Sequence, residues 1–224
     1  MTDLETYVRG WESDYRQSVA RIPLFDTTRT AFWGPEKQQR FVRLFYHARG
    51  HFVSDFVWHL VNRVPPAYRA VIVENLSEEL GGGPGQDPHE RLYADFAEEV
   101  GVDTTEETRT EESYLPFLRH FNKGHAEWIL SHDLPHNWGA FAAYECLDNI
   151  DYANLYALAK SIGVRTAKGL LFFEVHMGVG HFRQMQGLLA EVWVDDPQAV
   201  QAGFRFIADH QLKMWRGISD AVPA

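Results

Sequence analysis

The sequence predicts an all-α fold. Apolar residues recur at i, i+3, i+4 and i+7 through seven or eight segments, and no run alternates with period two. Clusters such as Pro65-Pro66 and Gly81-Gly82-Gly83-Pro84-Gly85 mark where segments must stop. The first segment, 3–21, ends before Ile22-Pro23-Leu24-Phe25-Asp26, and the second opens at Gly34-Pro35 and runs to Arg63. A third, 66–80, ends in the glycine cluster, where the backbone has too much freedom to continue a helix. Asp87-Pro88 restarts the chain. Asp87 suits an N-cap, Pro88 the first helical position and Glu90 a capping box, which puts His89 in the first turn of the fourth helix. Asp103-x-x-Glu106 repeats that grammar, and its segment runs irregularly to about His132 with breaks expected near Pro116 and Gly124. Two long helices, 137–162 and 165–193, follow, and Asp196-Pro197 caps a final helix to about 221.

No repeat, low-complexity tract or long linker divides the 224 residues, so one domain spanning 1–224 is expected, with short connections setting neighbouring helices antiparallel. With 31 acidic against 21 basic side chains the net charge is −10, which disfavours capture of nucleic acid or an anionic membrane and leaves a small molecule as the expected partner. The lone Cys146 cannot form an internal disulfide, the amino terminus has no signal-peptide pattern, and no apolar run nears the ~20 residues of a membrane span. A cytoplasmic protein is expected, and a homodimer is compatible with such a bundle. Composition leaves one surplus unexplained: 11 histidines and 14% aromatics.

Some polar residues fall where the helical stripe should be apolar. Trp138, Phe141, Ala142, Glu145, Asn149 and Tyr152 share one face, so Glu145 must pair, protonate or bind a cation if it is buried. Glu174, His176 and His181 stand among Leu171, Phe172, Phe173, Val175 and Val179. Glu78 or Glu79 can meet His89 across the glycine-rich loop, although a first-turn histidine also serves as a local hydrogen-bonding group. His47, His51 and Asp55 step along one edge of the second helix, where core or exposed roles are open to them. Imidazole and carboxylate together suit iron, manganese or zinc, with iron preferred. No histidine has a glutamate three residues before it, which removes the ferritin-like diiron pattern, and no protease, hydrolase, phosphate-loop or dinucleotide motif is present.

Glu-Asn-Leu-Ser-Glu-Glu-Leu-Gly at 74–81, Asp-Pro-His at 87–89, Ala-Tyr-Glu at 143–145 and Phe-Phe-Glu-Val-His at 172–176 occur in that order. In this order and separation the chain resembles the heme-oxygenase-like diiron oxidases, which share a seven-helix fold with heme oxygenase, TenA-type thiaminases and pyrroloquinoline-quinone synthase. These enzymes use dioxygen to oxidise amines, amino acids or fatty acids. The resemblance implies Fe(II), two per chain, held by Glu79, His89, Glu145 and His176, with dioxygen as co-substrate and an external electron donor. It also implies a small amine- or amino-acid-type metabolite as substrate, in natural-product biosynthesis. The family's late helix usually reads His-x-x-x-Asp-x-x-His; from His176 this chain has Gly180 and Arg183 instead. On a regular helix His176 and His181 lie about 140° apart, so a π-bulge, eased by Gly178 and Gly180, is expected to bring His181 toward the site. Asp55 is the candidate for an early-helix carboxylate. Phe45, Phe52, Trp138, Tyr144 and Phe172 are expected to wall the site.

Two other functions use the same residues differently. In a metal-free enzyme of the superfamily, His176, His181 and Arg183 would bind a cofactor-like substrate directly, with Cys146 as a small core residue rather than a thiaminase nucleophile. In a heme-binding protein, His47 or His51 would be the axial ligand.

Overall fold

The computed structural model describes residues 2–49, 52–83, 86–110, 115–177 and 181–222. Helices account for nearly all of them, and there is no strand among the described residues. The all-α expectation holds, but the described residues form twelve α-helices rather than seven. Helix α1 (Asp3–Val19) is closed at its start by a capping box between Thr2 and Glu5. A 3₁₀ turn and the one-turn helix α2 (Thr27–Thr30) follow it.

The second expected segment, 34–63, is an α-helix at both ends only: α3 (Pro35–Arg49) and α4 (Trp58–Arg63) flank a π-helical stretch, Phe52–Val57. A π turn therefore exists in the early helix. The one expected between His176 and His181 falls on 178–180, outside the described residues; helices α10 (Ala167–Met177) and α11 (His181–Asp195) end and begin on either side. Between them in sequence come α5 (Pro66–Glu79), α6 (His89–Glu99), α7 (Thr104–Thr110), α8 (Pro116–Ser131) and α9 (Leu134–Ser161). The last helix, α12 (Pro197–Ala221), starts as expected, with the Asp196 side chain accepting from the Ala199 N–H at 3.0 Å.

Two local expectations are corrected. Asp87 does not cap α6: the helix begins at His89 after a Pro88 cap residue that makes no side-chain cap bond, and Glu90 pairs with Arg49 instead of closing a box. Helix α8 also runs unbroken through Gly124. There the missing Cβ makes room for the His210 imidazole, which would lie 2.7 Å from it.

The core is one continuous hydrophobic cluster built around α9. Fifteen of that helix's residues are buried, so its stripe is apolar nearly all round. Helix α12 lies along α9, and α10 packs against both α6 and α9. Buried polar ties cross this core. The Tyr15 hydroxyl of α1 donates to the Asp151 carboxylate of α9 at 3.0 Å, and the Trp215 indole of α12 donates to the same group at 2.8 Å. By setting α10 on α6, this packing brings the start of one helix and the last turn of the other together.

Candidate metal centre

Glu79 is the last residue of α5, and the reason the chain turns back there is local. The N–H of Gly81 donates to the Glu78 carbonyl at 3.0 Å and that of Gly82 to the Ser77 carbonyl at 2.7 Å, the paired bonds of a Schellman ending. Gly81 has φ of 72°, a conformation that costs a side-chain-bearing residue. The returning chain then packs on Gly81 so closely that a Cβ would lie 2.7 Å from the Pro88 nitrogen. His89, next in sequence, opens α6 and comes to rest with Nδ1 2.9 Å from Glu79 Oε1. The positive end of the α6 dipole thus faces a carboxylate.

His176 reaches the same point from α10. Its Nδ1–H donates to the Phe172 carbonyl one turn earlier at 2.6 Å, which fixes the tautomer and leaves Nε2 as a lone pair. That Nε2 lies 3.8 Å from Glu79 Oε1. One ligand atom each from Glu79, His89 and His176 falls within 4.8 Å of the others.

The donor set fits a transition metal. His89 Nδ1 is buried and, beyond its 2.9 Å contact with Glu79 Oε1, has no hydrogen-bond partner among the described residues. Burial pushes His176 down to about 4, against the pull of Glu79, so at neutral pH its nitrogen needs no deprotonation before it can coordinate. Burial alone would raise Glu79; the neighbouring His89, His176 and Arg49 outweigh it and hold the carboxyl below its ordinary range. The site therefore presents one anionic oxygen and two imidazole nitrogens, the two-histidine, one-carboxylate set of many non-heme iron centres.

Around this point the walls are aromatic and acidic. Tyr152 stacks on His176 and Phe172 meets the same ring edge-on, with centroids 4.7 Å apart. Arg49 pairs with Glu90 and lies 4.4 Å over the Tyr93 ring. Behind Tyr152 a small cavity of about 30 Å³, near the size of one water, is bordered by Asp148, Asp151, Tyr144, Gln211 and Met214. Burial and the charges of Glu145, Glu79 and Asp151 push the Asp148 carboxyl well above its ordinary range.

Of the five residues expected to hold metal, the structure brings together Glu79, His89 and His176. Glu145 is buried but does not converge with them: its Oε1 accepts from Asn75 Nδ2 at 2.7 Å. Asn75 stands one turn before Glu79, so Glu145 borders the site through that amide. The side chain of His181, and His51 altogether, lie outside the described residues. Asp55 sits in the π stretch and is not part of the convergent group, and Glu174 is exposed, within 3.4 Å of the Tyr156 hydroxyl. Of the expected walls, Phe45 and Tyr144 border the cavity, while Trp138 packs instead on Tyr68, and the Phe52 side chain lies outside the described residues.

The other expected roles fare differently. His47 has its Nε2 2.9 Å from Glu107 Oε2, so the nitrogen a heme would need is engaged in a buried pair. Cys146 is a core residue as expected, 3% exposed, its thiol pushed well up by burial. Sequence reading passed over Asn75, Arg49, Asp148 and Asp151. Asp148 follows Glu145 by one turn, a spacing that could have revealed it.

Fold and site together define an all-helical protein with a metal-competent pair of histidines and one carboxylate. The sequence pattern of the iron-containing redox enzymes matches residues 39–214, and the chain belongs to that family. Solved structures share the fold at low identity. A CADD-like protein of unknown function from Nostoc punctiforme PCC 73102 superposes with a TM-score of 0.72 at 16% identity, over 97% of this chain and 96% of that one. A domain of unknown function with a heme oxygenase-like fold, from Shewanella denitrificans OS217, gives 0.73 at 15% identity, over 97% and 92%. No curated protein matches in sequence. No helix among the described residues is long and apolar enough to cross a membrane.

Proposed function

We propose that the protein is a non-heme iron oxidoreductase that uses dioxygen, with Fe(II) held by Glu79 Oε1, His89 Nδ1 and His176 Nε2. The observation that carries this reading is the convergence of those three atoms within 4.8 Å in a chain of the iron-containing redox family. Bound ferrous iron would supply the electron chemistry toward dioxygen that no side chain here can supply. The protein's own part is to hold the site. Phe172 fixes the His176 tautomer, Tyr152 and Phe172 cover its ring, and Arg49 adds positive charge beside Glu79.

The proposal extends to a second iron, with Glu145 and His181 as the further ligands that the family resemblance implies. The substrate is a small amine- or amino-acid-type metabolite of a biosynthetic route, and reducing equivalents come from an external donor. Support for these finer statements is the resemblance of the motifs around Glu79, His89, Glu145 and His176. The test is anaerobic loading with ferrous iron followed by elemental analysis of the wild type, Glu79→Gln and His176→Ala. The expected result is one to two irons per wild-type chain, with iron lost in both variants. Absent binding, or binding indifferent to both changes, would overturn the proposal.

A further inference from the structure

A groove of about 550 Å³ runs between α8 and α12, within the range of pockets that enclose a small organic molecule. It follows from facing helical stripes. Phe117, His120 and Phe121 repeat at helical spacing along α8, and His210, Lys213, Met214 and Gly217 along α12. The floor is apolar, built from Phe117, Phe121 and Met214. Gly217 lets the Phe117 ring lie close against α12, since a Cβ there would come 2.7 Å from that ring. His210 is a fixed part of the wall, its Nε2–H donating to the Phe121 carbonyl at 2.8 Å.

The rim has a different character from the rest of the protein. The chain as a whole carries −10, yet among the described residues this groove is bordered by Lys213 and Arg216 against one acid, Asp220. Helix α8 also begins in its wall at Pro116, and its N-cap residue Leu115 makes no side-chain cap bond, so the positive end of the helix dipole adds to the two cations. An apolar floor with a cationic rim is complementary to a molecule with an apolar body and one negative group. None of Glu79, His89 and His176 borders this groove, so it is separate from the metal centre.

We propose that the groove between α8 and α12 is a second ligand site, which takes an organic monoanion with an aromatic or aliphatic body. Lys213 and Arg216 meet the anionic group, and Phe117, Phe121 and Met214 receive the apolar part. Met214 also borders the small cavity behind Tyr152. A ligand in the groove thus touches a flexible side chain that also borders the cavity behind Tyr152.

The test uses the full chain and two probes of nearly the same shape, 1-anilinonaphthalene-8-sulfonate and the neutral N-phenyl-1-naphthylamine. Saturable fluorescence enhancement by the sulfonate at one site per chain is expected, with the neutral probe binding more weakly. The double change Lys213→Gln and Arg216→Gln is expected to weaken sulfonate binding about tenfold, the size expected of two screened charges near one anion, and to leave the neutral probe unchanged. Gly217→Phe, which must displace the Phe117 ring from the floor, should abolish binding of both. Thermal midpoints close to wild type establish that the variants are folded, and Gly217→Ser serves if the phenylalanine variant is not. Absence of saturable sulfonate binding, equal binding of the neutral probe, or indifference to the charge change would overturn the proposal. The assay needs no iron, so its outcome is independent of the metal reading.

Discussion

The ring of His176 lies flat on that of Tyr152, centroids 4.0 Å apart and planes 7° from parallel. Because the Nδ1–H of His176 is already committed to the Phe172 carbonyl, hydrogen bond and stacked ring together set both the position and the rotation of the imidazole. Tyr152→Ala is expected to weaken iron binding about tenfold, in the range seen when outer supports of metal ligands are removed. Tyr152→Phe keeps the ring and is expected to bind as wild type. Competition with a colorimetric ferrous chelator measures both, and equal losses in the two variants would show that the hydroxyl, not the stack, matters.

Gly81 sets the distance between Glu79 and His89. Alanine there must adopt a left-handed backbone, at a cost of about 1–2 kcal/mol, and its Cβ must also displace Pro88 from the turn that delivers His89. Gly81→Ala is expected to lower both the urea midpoint and the iron affinity. Gly163→Ala is the control: its φ is 106°, nothing lies within 4 Å of the added carbon, and only stability should fall. A Gly81→Ala protein that binds iron as wild type would contradict the role assigned to this turn.

Asp151 gives stability a pH dependence of definite sign. Burial raises its carboxyl to about 7 despite hydrogen bonds from Trp215 and Tyr15, whereas in the unfolded chain it titrates near the ordinary value of about 4. Between those values the folded protein holds a proton that the unfolded chain has released. Its contribution is therefore full below about pH 4, falls as pH rises toward 7, and is level above that, a change on the order of 4 kcal/mol. Asp151→Asn removes this dependence. The expected result is a stability difference, variant relative to wild type, that moves in favour of the variant from pH 5 to pH 8 in urea titrations.

Asp148 is expected to behave in the same direction for a different reason. Burial is joined by repulsion from Glu145, Glu79 and Asp151, so its ionised form is disfavoured in the metal-free protein. Asp148→Asn should raise the melting temperature of the iron-free protein, and by more at pH 8 than at pH 5. A lower melting temperature at pH 8 would mean that its carboxylate is paired in solution.

Much of this architecture is written in short-range chemistry. The glycine cluster that ends α5, the proline pair that begins it and Asp196 before α12 act through their own backbone neighbours, so their elements were readable from sequence. The same holds for the meeting of Glu79 and His89, which one turn brings about. His176 was legible as a polar group in an apolar stripe, but its partner residues were not, because they depend on how α10 lies on α6 and α9. Glu145 shows the limit most clearly. Its burial followed from the face it occupies, whereas its bond to Asn75 follows from the rotation of α5, which no spacing along α9 encodes. The π stretch at 52–57 packs against α4, α5 and α8, and Phe56 and Val57, both fully buried within it, carry no local mark of it in the sequence.

The loop from Leu80 to Pro88 gives the proposed ion a second consequence. A chain with one cysteine has no internal covalent cross-link, yet an ion shared by Glu79, His89 and His176 would fasten three helices at once and close both a ten-residue and a far longer loop. The metal would then be a rivet as well as a reagent. Iron supply would govern how long the protein survives proteolysis, with loaded chains outlasting empty ones in proportion to how far free iron exceeds its dissociation constant.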